Sequence, residues 1–130
     1  MSKKEYIAYE GVNFTIEWYY NIKGESQSFS YFDKLSSKMQ DKLMYLFKRI
    51  GDHGKISDKT KFRHEGDQIY AFKPQPERFL SFFLKGKKII ITNAFYKKSH
   101  KIPVQEKLTA IECRKDYLQR TKKGDYYEEE

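Results

Sequence analysis

Between residues 61 and 96, four strand-like segments follow one another with almost no chain to spare, and this limits the fold more than any other feature. Residues 61–65, 68–73, 78–84 and 88–96 are rich in aromatic and β-branched side chains, which suit a pleated, half-buried surface. The joining stretches, Gly66-Asp67, Pro74-Gln75-Pro76-Glu77 and Lys85-Gly86-Lys87, are short and made of turn-forming residues. A parallel pair needs a crossover of about a dozen residues or more. The four segments are therefore predicted to be an antiparallel meander.

The flanks supply the remaining elements. Residues 14–20 (FTIEWYY) predict a further strand, ending at a turn around Lys23 and Gly24. Ser26 suits the cap of a short helix reaching Leu35, and Ser37 with Gln40 has the spacing of a capping box. Met39, Leu43, Leu46, Phe47 and Ile50 then recur at helical intervals as far as Gly51. After a basic loop, Gly54 to Thr60, and the meander, Pro103 opens a last helix to about Arg120, with Val104, Leu108, Ile111 and Leu118 predicted as its buried stripe. Residues 1–12 read as an N-terminal extension and residues 122–130 (KKGDYYEEE) as a frayed acidic tail.

With 130 residues the chain suits one domain. The expected class is α+β: a small, antiparallel-rich twisted sheet of four to five strands with two N-terminal helices and one C-terminal helix. Helices packed on one face would bury both apolar surfaces and leave the other face free as a concave site. A single cysteine, Cys113, excludes an intrachain disulfide and fits a reducing cytoplasm. No apolar run approaches the roughly 20 residues of a membrane span, so a soluble, cytoplasmic protein is expected.

The charge is unevenly placed. Residues 55–107 hold 13 Lys/Arg against 5 Asp/Glu, a surplus of 8 that equals the net charge of the whole chain. A face of that kind attracts phosphate backbones by Coulomb force and counterion release, although charge alone is equally compatible with a solvated face. Within this segment an aliphatic run, Ile89 to Ile91, leads directly into Lys97, Lys98, His100 and Lys101, so a buried strand delivers cations and an imidazole to its own end.

Three blocks resemble the RelE/HigB-type toxins of bacterial and phage toxin–antitoxin pairs, in particular the phage-derived HigB-like branch. They are LFKRIGDHGKISDKTKFRHEGDQIYAFK, ERFLSFF and IIITNAFYKKSHKIPVQEKLTAIECRKDY, together spanning residues 46–117. The resemblance implies a RelE-like fold and a partner antitoxin with a helix-turn-helix DNA-binding domain. It also implies metal-independent cleavage of mRNA, commonly in the ribosomal A site, and so inhibition of translation. By motif position Arg78 matches the basic residue of the family's aromatic-Arg strand and Lys73 the basic end of the strand before it. Lys97, Lys98 and His100 match the basic cluster after the last strand. Ile69 and Ala71 stand where some members carry lysines, and Ile102 precedes Pro103 where threonine is usual.

Cleaving RNA without a metal takes a base for the 2′-hydroxyl proton, cations for the crowded phosphorane and an acid for the leaving 5′-oxygen. His100 is the natural acid–base group among the candidates, unless it is simply an exposed loop histidine. Arg78 could grip a phosphate bidentately or pair with Glu77 or Glu65. Lys73, Lys97 and Lys98 are candidates for phosphate stabilisation. Lys61 and Arg63 share one strand parity and could track the RNA backbone with Lys101, though a solvated edge strand explains the first two as well. Tyr96, rather than its neighbour Phe95, is expected to face the site and stack on a base. His53 and His64 are scattered, and no metal or other cofactor is expected. A competing expectation is a non-catalytic member of the RelE/ParE fold that grips nucleic acid or an enzyme such as gyrase. Such a binder needs the cations but not His100.

Overall fold

The computed structural model describes residues 4–127. In chain order it runs β1 (Ile7–Glu10), β2 (Thr15–Trp18), α1 (Gln27–Asp33), α2 (Ser37–His53), β3 (Phe62–His64), β4 (Tyr70–Phe72), β5 (Glu77–Leu84), β6 (Lys88–Tyr96) and α3 (Val104–Lys123). The described strands form one six-stranded sheet in the order β1-β2-β6-β5-β4-β3. Every neighbouring pair is antiparallel except β2 with β6. The class is α+β, as the pattern of segments predicts, with one strand more than the four to five expected. The added strand is β1, which occupies the edge of the sheet where an N-terminal extension was expected; residues 1–3 of that extension lie outside the described residues.

Three other expectations are corrected. The sheet has no free face over its centre, because two cores form, one on each side. Ile16, Trp18, Leu46, Phe47, Phe72, Phe79, Ile89 and Ile91 pack beneath α1 and α2, while Ile69, Leu80, Phe82, Ile90 and Phe95 pack with Ala110 and Tyr117 of α3. The cause is legible in β5 and β6, where apolar residues stand at both parities, the pattern of a strand buried on both faces. Secondly, α3 is rotated from the expected stripe: Val104, Leu108 and Leu118 are exposed, and Ala110 and Tyr117, seven residues apart, face the sheet. The Tyr117 ring meets Phe82 edge-on with centroids 5.8 Å apart.

Thirdly, the chain after residue 121 does not fray at once. The helix reaches Lys123, Gly124 closes it in the left-handed conformation, and Tyr126 is 3% exposed with its hydroxyl accepting the Tyr20 backbone N–H at 2.9 Å. Tyr127 donates to Glu17. Residues 128–130 of the expected tail lie outside the described residues.

Smaller shifts have local causes. The cap of α2 is Ser36, one residue earlier than expected, its hydroxyl accepting from the Met39 N–H at 3.2 Å, and Gln40 donates to the Phe32 carbonyl instead of closing a box. Gly51 does not end α2, which continues to His53. It lets the β1–β2 turn lie against the helix backbone: Asn13 and Phe14 N–H groups both donate to the Gly51 carbonyl, and a Cβ on Gly11 would come within 2.4 Å of that backbone.

One irregularity positions the site. Leu80 pairs with Asn93 but Ser81 with Ile91, so Thr92 is an extra residue in β6. Such a bulge reverses the parity of everything beyond it. Ile90 and Phe95, of opposite parity, thus both face α3, and Lys97 follows Phe95 onto that side. Beyond Ile91, where β2 has ended, the Gln27 side chain replaces a strand, donating to the Ala94 carbonyl at 2.8 Å and accepting its N–H at 2.7 Å.

Candidate functional site

The register of β3, β4 and β5 brings three cations into one row. Phe62 pairs with Phe72 and Phe72 with Phe79, so the next positions, Lys61, Lys73 and Arg78, lie side by side at the sheet end. The Lys73 N–H donates to the Lys61 carbonyl at 2.8 Å, and Arg78 pairs in turn with Phe95 of β6. Lys73 shares the parity of Ala71, and Arg78 that of Leu80, both of which pack on the α3 side. Arg63 of the outermost strand and Glu65, just beyond its end, share it.

Two of these cations are buried. Arg78 is 2% exposed and Lys73 9%. The Arg78 guanidinium donates through Nη1 to the Glu77 carbonyl at 2.9 Å, and the Lys73 ammonium donates to the Lys59 carbonyl at 3.0 Å. Neither makes an ion pair among the described residues. Burial is the main force pulling the Lys73 pKa down, opposed by Glu65 and reinforced by Arg78, Arg63 and Lys97. Burial lowers Arg78 as well, against the pull of Glu65 and Glu77. Two adjacent buried cations that share only a more distant carboxylate field are costly, and such a pair is a candidate site for an anion.

The residues after β6 approach from the side. The Lys97 N–H donates to the Pro76 carbonyl at 3.1 Å, tying this loop to the turn before Arg78. Lys97, Lys98, Ser99 and His100 line a shallow depression of about 470 Å³. Lys97 is half-buried, and Lys98, His100 and Lys101 are exposed. The Ser99 hydroxyl donates to the Lys101 carbonyl at 2.9 Å, whereas His100 has no hydrogen-bond partner among the described residues. The structure therefore groups Arg78, Lys73, Lys61, Arg63 and Lys97 on one face, and leaves His100, Lys98 and Lys101 on an adjoining loop.

Tyr96 is placed elsewhere. It pairs with Glu77 on the opposite, α1-facing side of the sheet and is 54% exposed. The bulge at Thr92 gives the Arg78 side to Phe95, which is buried in the α3 core. Beneath Tyr96, Glu77 is 8% exposed and accepts a short hydrogen bond from the Tyr31 hydroxyl. Burial and that carboxylate push the Tyr31 phenol well above its ordinary pKa. Sequence reasoning treated Glu77 only as a counter-ion for Arg78 and passed over Tyr31; a carboxylate set between Pro76 and Arg78 is the signal that pointed to the first.

Among the described residues no group of three His, Cys, Asp or Glu side chains could hold a metal ion, and no helix is long and apolar enough to cross a membrane. His64 Nε2 accepts the Gln68 N–H at 3.2 Å. Cys113 is a free thiol that burial pushes up to about 12.

A small α+β domain, its sheet covered on both sides and its open end lined with cations, is the class that fold and site define. Residues 30–115 match the family described as phage derived protein Gp49-like (DUF891). The chain belongs to that family, which is a RelE/HigB-like toxin family. No curated protein matches the chain.

Proposed function

We propose that the protein is the toxin of a toxin–antitoxin pair and acts in the cytoplasm as a metal-independent endoribonuclease on mRNA, with the ribosome presenting the strand. The observation that carries this reading is the Lys73–Arg78 pair, buried and without an ion-pair partner among the described residues. The scissile phosphate lies against Arg78 and Lys73, whose charges oppose the negative charge that grows on the phosphorane. The 2′-oxygen attacks phosphorus and gives up its proton, the bond to the 5′-oxygen breaks, and that oxygen gains a proton. The products are a 2′,3′-cyclic phosphate and a free 5′-hydroxyl.

His100 and Lys73 are the proton carriers. His100 brings an imidazole, the side chain most used for proton transfer, and Lys73, lowered by burial, gives up its proton more readily than an exposed lysine. Lys61, Arg63, Lys97, Lys98 and Lys101 hold the flanking backbone. The partner that silences the toxin is a helix-turn-helix antitoxin.

One observation favours a second reading. His100 has no hydrogen bond among the described residues to orient its ring, as a binder of nucleic acid or of an enzyme such as gyrase would allow. Induced expression followed by mapping of mRNA ends separates the two. Growth arrest with new mRNA ends that disappear in Arg78→Ala supports the nuclease. Arrest without new ends supports the binder, and full toxicity with full cleavage in both Arg78→Ala and His100→Ala contradicts the assigned chemistry.

A further inference from the structure

A second cationic pocket lies around the edge of the sheet from Arg78. It measures about 460 Å³, and α2 forms one wall with Lys38, Lys42 and Tyr45, while Lys61 and Lys73 come from the strand ends opposite. Asp41 is the one acid lining it. Lys38, Lys42, Tyr45 and Arg49 follow the spacing that keeps residues on one side of a helix. That side is turned away from the buried Leu43, Phe47 and Ile50, with Leu46 at the floor of the pocket. Arg49 lies over the Tyr45 ring at 5.9 Å, and Tyr45 is 57% exposed.

Three features make this more than a solvated helix face. Lys38 and Lys42 are like charges four residues apart, an arrangement that disfavours an isolated helix. The first turn of α2 contains no acid to offset them, although its positive macrodipole end would favour one. None of Lys38, Lys42 and Lys61 makes an ion pair among the described residues. The pocket is also not isolated: Lys73 lines it and at the same time lies in the row with Arg78.

We propose that this pocket holds a second phosphodiester of the same single-stranded RNA, bound by Lys38, Lys42 and Lys61, with the Tyr45 ring available to an adjoining base. The inference rests on the RNA reading and adds a direction to it: the strand leaves Arg78 past Lys73 and runs toward the first turns of α2. A base stacked on an aromatic ring tolerates any sequence, so this subsite contributes grip and length dependence without codon preference.

The test measures RNA binding by fluorescence anisotropy at several salt concentrations. It uses a trinucleotide and a longer strand built around the same centre, both carrying a 2′-deoxy linkage at the cleavage position so that they stay intact. For the unsubstituted protein the longer strand binds more tightly. In Lys38→Ala/Lys42→Ala the advantage of the longer strand falls by roughly tenfold, and the slope of log affinity against log salt falls by about 1.4, as expected for two lost contacts to a single strand. Asp41→Asn moves the advantage the other way. All three substitutions lie on the exposed side of α2, and circular dichroism establishes that the variants are folded. An unaltered length advantage in the folded double variant overturns the subsite and leaves the RNA reading standing. Absence of RNA binding by the unsubstituted protein, on its own and on ribosomes, overturns both.

Discussion

Arg78 and Arg120 are both largely withdrawn from water, yet they are treated in opposite ways. Arg120 is met on every side. It donates through Nε and Nη2 to Asp116 at 2.9 and 2.7 Å, donates to the Tyr20 carbonyl, and lies 4.7 Å over the Tyr126 ring. Although burial works against its charge, Asp116 and Tyr19 hold its pKa above the ordinary value. Arg78 is buried more deeply, has no carboxylate within ion-pair distance among the described residues and has its pKa lowered. Arg120 is a cation that the fold completes; Arg78 is one that the fold leaves for something else to complete. The contrast separates a charge that the fold satisfies from one that it does not more sharply than exposure does, since the Arg120 side chain is itself only 12% exposed.

The contrast can be broken most directly by exchanging each arginine for an uncharged residue. For Arg78→Leu the account expects a loss of RNA cleavage of roughly 10²–10³-fold, the scale for removing one stabilising donor from a reaction centre. Folding stability should stay level or rise, because an apolar side chain replacing an unpaired buried charge is often neutral or stabilising. Thermal unfolding and cleavage on the same preparation check both. Asp116→Ala should do the reverse. It strands Arg120 and is expected to cost about 1.5–3 kcal/mol, the range for hydrogen bonds to charged groups, read as a lower urea midpoint.

A smaller effect sharpens the comparison at Glu77. Tyr31→Phe removes the donor to this buried carboxylate and should cost about 1–3 kcal/mol, again visible in urea. The smallest effect concerns pH. Lys73 has a folded pKa below the lysine value of 10.5, so between the two values the unfolded chain binds more protons. Stability must then rise with pH across that window. Lys73→Met lacks this contribution. The difference in stability between the original protein and Lys73→Met should therefore shift in favour of the original protein as pH increases toward 10.5, and a flat difference would mean that burial and the neighbouring cations do not hold the Lys73 pKa down. For Asp116, whose pKa is lowered by Arg120 and Tyr19 against the effect of burial, stability again rises with pH, but in the acid range: its contribution is present above the ordinary carboxylate range and disappears as pH falls through the folded value.

How much of this could be read from the amino acids follows from what each feature depends on. The meander was legible because turn residues and short connections constrain neighbours locally, and β6 spans residues 88–96 as expected. The covering of both faces was also written in β5 and β6, in apolar residues at both parities, which the expectation of helices on one face alone leaves out of account. The rotation of α3 was not legible. Ala110 contributes little apolar signal, and what turns the helix is the distant match of Tyr117 to Phe82 and of Asp116 to Tyr19. In the site, the cations were visible as a cluster in sequence, but the row Lys61–Lys73–Arg78 depends on register, and the side taken by Phe95 and Tyr96 depends on a bulge that Thr92 does not announce. The burial of Arg78 emerges only once β4 and β6 flank it.

The most direct test of the central claim is the rate of cleavage of a ribosome-bound mRNA, measured for the unsubstituted protein beside Arg78→Leu. The account predicts fragments ending in a 2′,3′-cyclic phosphate from the first and at least a hundredfold slower appearance from the second, with Arg78→Leu melting no lower than the original. Equal rates from the two proteins, or a variant that loses cleavage only because it has unfolded, would contradict it.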